Sequence, residues 1–101
     1  MTFTETLARD RRRLILEHLA AAPEHALGMD VLAVMVGESR QAAYRDLVYA
    51  DIERLADHGL VRIEELPSAI GPQREVRATA LGLDVAGGRA HPFVASKLPG
   101  Y

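Results

Sequence analysis

The sequence predicts a single, mainly helical α+β domain, with three helices leading into a β-hairpin. Three observations predict it. Apolar residues recur at helical spacing over Phe3 to Ala22, Met29 to Val36 and Ser39 to His58. Residues 60 to 80 instead alternate apolar and charged with period two, broken in the middle by a Pro/Gly loop. The chain has 101 residues, 49% of them hydrophobic, enough for one modest core and no more than one domain.

Each element follows from its residues. Thr2 and Glu5 have the spacing of a capping box, so the first helix begins near Phe3. Leu7, Leu14, Ile15, His18, Leu19 and Ala22 share one face, and Pro23 ends the helix. Phe3 and Leu16 lie beside that stripe and are free to meet a partner. His25-Ala26-Leu27 is long enough only for an edge-strand fragment. The second helix, Met29 to Val36, places Val31, Leu32, Met35 and Val36 as its apolar residues and ends at Gly37. Ser39 is placed to cap the third helix, which runs to His58 and stops at Gly59. Leu60 to Leu66 reads as a strand with Val61 and Ile63 on one face. Pro67-Ser68-Ala69-Ile70-Gly71-Pro72 is loop chemistry, and Arg74 to Ala80 is the return strand with Val76, Ala78 and Ala80 inward. A short helix over Leu81 to Ala86 precedes Gly87-Gly88.

Helix, short strand, helix, helix, strand, loop, strand is the order of a winged helix-turn-helix domain. The expected fold is that domain over residues 1–90 with a two-stranded hairpin wing, and an extended tail over 91–101. Two segments carry a resemblance to known proteins. "LADHGLV" before a hairpin looks like the junction between recognition helix and wing in ArsR- and MarR-like regulators. "ATALGLDVAGGRA", Ala78 to Ala90, resembles the closing segment, roughly T-x-x-G-L-D-V-A-x-G-R-A, of small proteins encoded in Mu-like prophages. The resemblance covers about residues 7 to 92. It implies a winged-helix fold and a phage-derived setting, and leaves the biochemical role open.

Composition narrows the function classes. Without cysteine there are no disulfides, thiolate catalysis or Cys-ligated zinc. The longest apolar runs are far short of a membrane span, and Leu14-Ile15-Leu16, flanked by Arg13 and Glu17, is no signal peptide. A cytoplasmic protein is expected. The formal charge is −2. Dedicated nucleic-acid binders are usually basic, because phosphate neutralisation supplies most of their affinity. A local basic patch remains compatible with this balance.

On the third helix, Tyr44, Val48, Ile52 and Leu55 fall on the core side. The opposite side shows Ala42, Ala43, Asp46, Ala50, Glu53 and Asp57, small and acidic where a groove-reading helix normally presents Arg, Lys, Asn or Gln. Arg40, Gln41, Arg45 and Tyr49 lie toward its N-terminal half, where phosphates or base edges are in reach. The plainer reading of Arg40 and Arg45 is surface pairing with Glu38 or Asp46. On the wing, Gln73, Arg74 and Arg77 are candidates. Arg74 and Arg77 are three apart, so only one of them faces DNA. The candidate DNA-binding set is therefore Arg40, Gln41, Tyr44, Arg45, Tyr49, Arg74 and Arg77, with double-stranded DNA as partner. The alternative is a winged-helix module that binds protein through the acidic helix face.

Arg11-Arg12-Arg13 is the densest basic run. Three successive helical residues fan over about 200°, and Asp10 and Glu17 are near, so a solvated face is expected. His18, His25, His58 and His91 have no metal-ligand spacing, and His18 reads as a partly buried core residue. No phosphate loop, nucleophile elbow or carboxylate pair stands out, so neither catalysis nor a cofactor is expected. Phe3 and Leu16, with Phe93, Val94, Leu98 and Tyr101 of the tail, either pack on their own domain or support a homodimer through the first helix and tail.

Overall fold

A computed structural model describes residues 2–37 and 45–97. In chain order it contains α1 (Phe3–Ala21), a 3₁₀ turn (Pro23–His25), β1 (Ala26–Gly28), α2 (Met29–Gly37), α3 (Arg45–Asp57), β2 (Val61–Leu66), β3 (Gln73–Ala78) and α4 (Ala80–Ala86). This is an α+β domain with a hairpin wing. The wing is part of a three-stranded antiparallel sheet rather than a two-stranded one, because β1 pairs with β3 and gives the order β1-β3-β2. The Ser39 cap and the candidates Arg40, Gln41 and Tyr44 lie outside the described residues.

The Thr2 side chain caps α1 by accepting from the Glu5 N–H at 3.1 Å. The Glu5 carboxylate accepts from Arg12 Nη1 at 3.1 Å. Past Pro23 the chain turns tightly, with Glu24 and His25 in left-handed backbone at φ 57° and 58°. Arg77 donates to the Glu24 carbonyl at 2.9 Å and fastens that turn to β3. α3 ends in a Schellman motif: Gly59 at φ 75°, with Leu60 N–H bonded to Leu55 O and Gly59 N–H to Ala56 O. The return strand stops at Ala78, two residues earlier than its alternation predicts. Thr79 turns away to cap α4, and Ala80 is exposed in the first turn of that helix.

The core joins Ile15, Leu16 and Leu19 of α1, Leu32 and Val36 of α2, Val48, Ile52 and Leu55 of α3, and Val76 of β3. Leu16 is fully buried in it, which removes it as a surface for a partner. The reason is α4, which packs on α1 beside the expected stripe and widens the buried side of that helix.

The arginine run is the main departure. Arg11, Arg12 and Arg13 are 8%, 2% and 8% exposed, not solvated. Arg11 Nε donates to Asp51 at 2.6 Å and Arg12 Nε to the other oxygen of Asp51 at 3.3 Å. Arg13 donates to the carbonyls of Val85, Ala86 and Ala95, and meets Glu17 at 3.3 Å. α3 covers one flank of α1, while α4 and the tail cover the other, so a run that fans around the helix finds acceptors on every side. The tail is accordingly held on its own domain as far as it is described. Arg9 Nη2 donates to Val94 O, Ala95 N–H to Arg9 O, and Val94 belongs to the core.

Candidate nucleic-acid interface

Arg45 and Tyr49 are four residues apart on α3, so they stand one turn above another on the same side. Tyr49 is half-buried, and its hydroxyl donates to the Asp30 carboxylate at the start of α2. That hydrogen bond, and then burial, raise the phenol above its ordinary pKa of 10.0, against a smaller opposing effect of Arg45 and Arg74. The phenol is thus a fixed neutral donor that ties α3 to α2.

Arg74 reaches the same place from the wing. Its guanidinium carbon lies 5.9 Å from the centroid of the Tyr49 ring, within cation–π range. Arg74 also meets Glu53 at 3.7 Å. Both partners are exposed, so this pair contributes little stability and yields readily to a competing anion. Arg45, Tyr49 and Arg74 therefore form one short surface strip that joins α3 to the hairpin.

Arg77 is not part of it. The register sets Arg77 opposite both Ala26 and Arg62, while Val76 faces Leu27 and Ile63. Alternation along β3 then puts Arg74 on the helix side of the sheet and Arg77 on the other. There Arg77 holds Glu24 O and pairs with Glu75 at 3.3 Å. The separation of these two arginines follows from their spacing, and the geometry assigns the α3 side to Arg74.

The acidic character expected for the outer side of α3 is present, with Asp46, Ala50, Glu53 and Asp57 all exposed. Arg54 is exposed on the same helix. An open apolar groove, lined by Asp30, Val31, Val34, Met35 and Arg45, borders the strip along α2.

Two residues that sequence reasoning passed over matter here. Asp30 anchors Tyr49, and no local pattern announces a partner 19 residues away. Asp51, 3% exposed, holds Arg11 and Arg12. It did leave a signal, because it stands three residues after Val48 and four before Leu55, within the buried stripe of α3.

Among the described residues no group of His, Asp or Glu is arranged to hold a metal ion. Two histidines do meet: the rings of His58 and His91 lie edge-on at 5.9 Å, and His58 also lies 4.2 Å from the Phe93 ring. No described helix is long and apolar enough to cross a membrane. Neither a scan against protein-family models nor a search of curated proteins matches this chain.

Proposed function

We propose that this chain is a winged-helix DNA-binding protein, a phage-derived transcriptional regulator that reads duplex DNA in the cytoplasm. The N-terminal half of α3 enters the major groove, and the wing follows the backbone beside it. One observation carries the reading: Arg45, Tyr49 and Arg74 stand together where helix and wing adjoin. A helix that docks by its N-terminal residues needs its cations there and not along its whole length. Acids also touch this strip, since Glu53 meets Arg74 at 3.7 Å and Asp30 accepts from Tyr49, but along α3 they fall away from Arg45. Glu53 and Asp57 lie about 12 Å and about 18 Å further along the axis from Arg45 at the usual rise per residue. Asp46 directly follows Arg45, and a carboxylate there suits a cytosine amino group better than a phosphate. Arg40 and Gln41 precede this end of the helix in sequence and belong to the same proposed set. The prophage setting rests on the Ala78–Ala90 resemblance.

The same proposal includes a homodimer, since two-fold symmetry matches paired half-sites. The proposed contact runs through the first helix and the tail; with Leu16 in the core and Phe93 against Arg12, its exposed described residue is Phe3, at 77%, while Leu98 and Tyr101 lie outside the described residues.

Fluorescence anisotropy with duplex DNA from the gene's own neighbourhood tests the reading. Arg45→Ala and Arg74→Ala are each expected to weaken binding, while Arg62→Ala, on the far side of the sheet, leaves it unchanged. Absence of binding at about 50 mM salt, where phosphate contacts are strongest, would overturn it. A second reading then takes over, that of a protein-binding module. It is favoured by the mixture of Asp46, Glu53 and Asp57 with Leu47 and Val31, 43% and 53% exposed, on neighbouring helices.

A further inference from the structure

His91-Pro92-Phe93-Val94 is a tight turn. Val94 N–H donates to His91 O at 3.2 Å, with Pro92 in the second position that suits its fixed φ. Inside it, the Phe93 N–H donates to His91 Nδ1 at 3.1 Å. An imidazole nitrogen accepts only when it carries no proton, so the turn in this form requires a neutral His91 with its proton on Nε2. The side chain does here what an Asn or Asp does in an Asx-turn, accepting from the N–H two residues on.

The turn presents Phe93 to a layered contact. The Arg12 guanidinium lies 3.7 Å from the centre of the Phe93 ring, and its Nη1 donates to Phe93 O at 3.2 Å. The His58 ring, just past the end of α3, lies 4.2 Å from the Phe93 ring and 5.9 Å edge-on from His91. Charged groups reach this segment from three described elements. α1 brings Arg12, which already engages Glu5 and Asp51, together with Arg9 on Val94 O and Arg13 on Ala95 O, the latter paired with Glu17. The end of α3 brings His58, preceded by the exposed Asp57, and the segment after α4 brings Arg89, paired with Asp84 at 3.6 Å. A proton on His91 would enter a neighbourhood of arginines and a second imidazole, and would also abolish the acceptor of the Phe93 N–H.

We propose that the His91–Ala95 segment is a pH-sensitive clasp, closed on α1 and the end of α3 while His91 is neutral and released when His91 takes a proton. This holds whether or not the chain binds DNA. His91 is displaced in the matching direction, below its ordinary 6.5, by burial first and then by the charges of His58 and Arg89. The sign follows from linkage. Above about pH 6.5 both the closed and open forms are neutral and the clasp has its full strength. As pH falls below that, the open form takes up a proton that the closed form refuses. The closed-to-open ratio then drops about tenfold per pH unit until the closed form is protonated too.

The test is amide hydrogen exchange by NMR on the full chain, from about pH 8 to about pH 5, read as protection factors at Val94 and Ala95. Their protection is expected to fall with a midpoint below about 6.5, following the His91 ring signals. In His91→Asn the side-chain oxygen still accepts from Phe93 N–H but does not titrate, so protection should remain high and flat across the range. Unchanging protection in the wild-type chain would overturn the proposal. So would an undiminished pH response in His91→Asn, which would move the switch to another group.

Discussion

Asp51 is 3% exposed and lies between two guanidinium groups, with one oxygen to Arg11 and the other to Arg12. Such a cluster is not a large net source of stability, because three charged groups lose water to form it. Its removal is another matter. Asp51→Ala leaves Arg11 and Arg12 buried, with Glu5, among the described residues, still paired to Arg12. The expected loss is about 3–5 kcal/mol, read as a lower urea midpoint at unchanged slope. Asp51→Asn keeps an acceptor and should fall between that variant and the wild type. The arginine run shows where local reasoning ends. The angular spread of Arg11, Arg12 and Arg13 is legible in their spacing, and so were the nearby acids. What encloses the helix was not. The acceptors for Arg13 are the main-chain oxygens of Val85, Ala86 and Ala95, groups that every residue type possesses and no sequence marks.

The junction of α3, β2 and α4 shows how closely the elements are fitted. Thr79 donates its hydroxyl to Gly59 O at 2.7 Å and accepts from Gly82 N–H, while its own N–H bonds to Leu60 O. This draws α4 so near the start of β2 that a Cβ on Gly82 would lie 2.0 Å from Leu60 O. Helix propensity alone favours Gly82→Ala by about 1 kcal/mol. The clash is with backbone that cannot swing aside, so the substitution is expected to destabilise by about 1–3 kcal/mol. Gly87 is the control. It has φ −77°, and a Cβ there meets its neighbours at an ordinary 3.5 Å. Gly87→Ala should be neutral or raise stability by about 0.4–1 kcal/mol through the unfolded chain. Thermal unfolding of the two variants side by side checks the pair. At this scale most of the fold was legible: periodicity placed α1, α2, the described part of α3, both wing strands and α4 within a few residues. The third strand was legible only as a fragment, because Ala26–Gly28 gains its meaning from pairing with β3 some 50 residues later. Local alternation carries no trace of a contact that distant. The same limit hid the turn of the chain at Thr79, where a cap overrides two residues of continuing alternation.

Charge, taken over the whole molecule, sets how the proposed DNA binding should behave. Of the 12 Lys and Arg residues, Arg11, Arg12 and Arg13 are consumed inside the fold, and Arg77 and Arg89 have acids beside them. The formal charge of −2 therefore overstates the cations on offer outside. Non-specific attraction to DNA should be weak, and binding should depend on few phosphates. With Arg45 and Arg74 at the strip, and Arg40 taken from the sequence as a third contact, about three phosphates per chain give a slope of log K against log salt of about −2.7. Raising salt from about 50 to about 200 mM then weakens a single bound chain by about fortyfold. A dimer on a palindrome has twice the contacts, a slope of about −5.4, and a loss on the order of two-thousandfold. The salt series thus counts subunits as well as phosphates. Arg74→Ala should reduce the slope by about 0.9 in the first case and about 1.8 in the second. A slope that stays put in this variant, with affinity retained, would place Arg74 off the phosphates and return it to its pairing with Glu53.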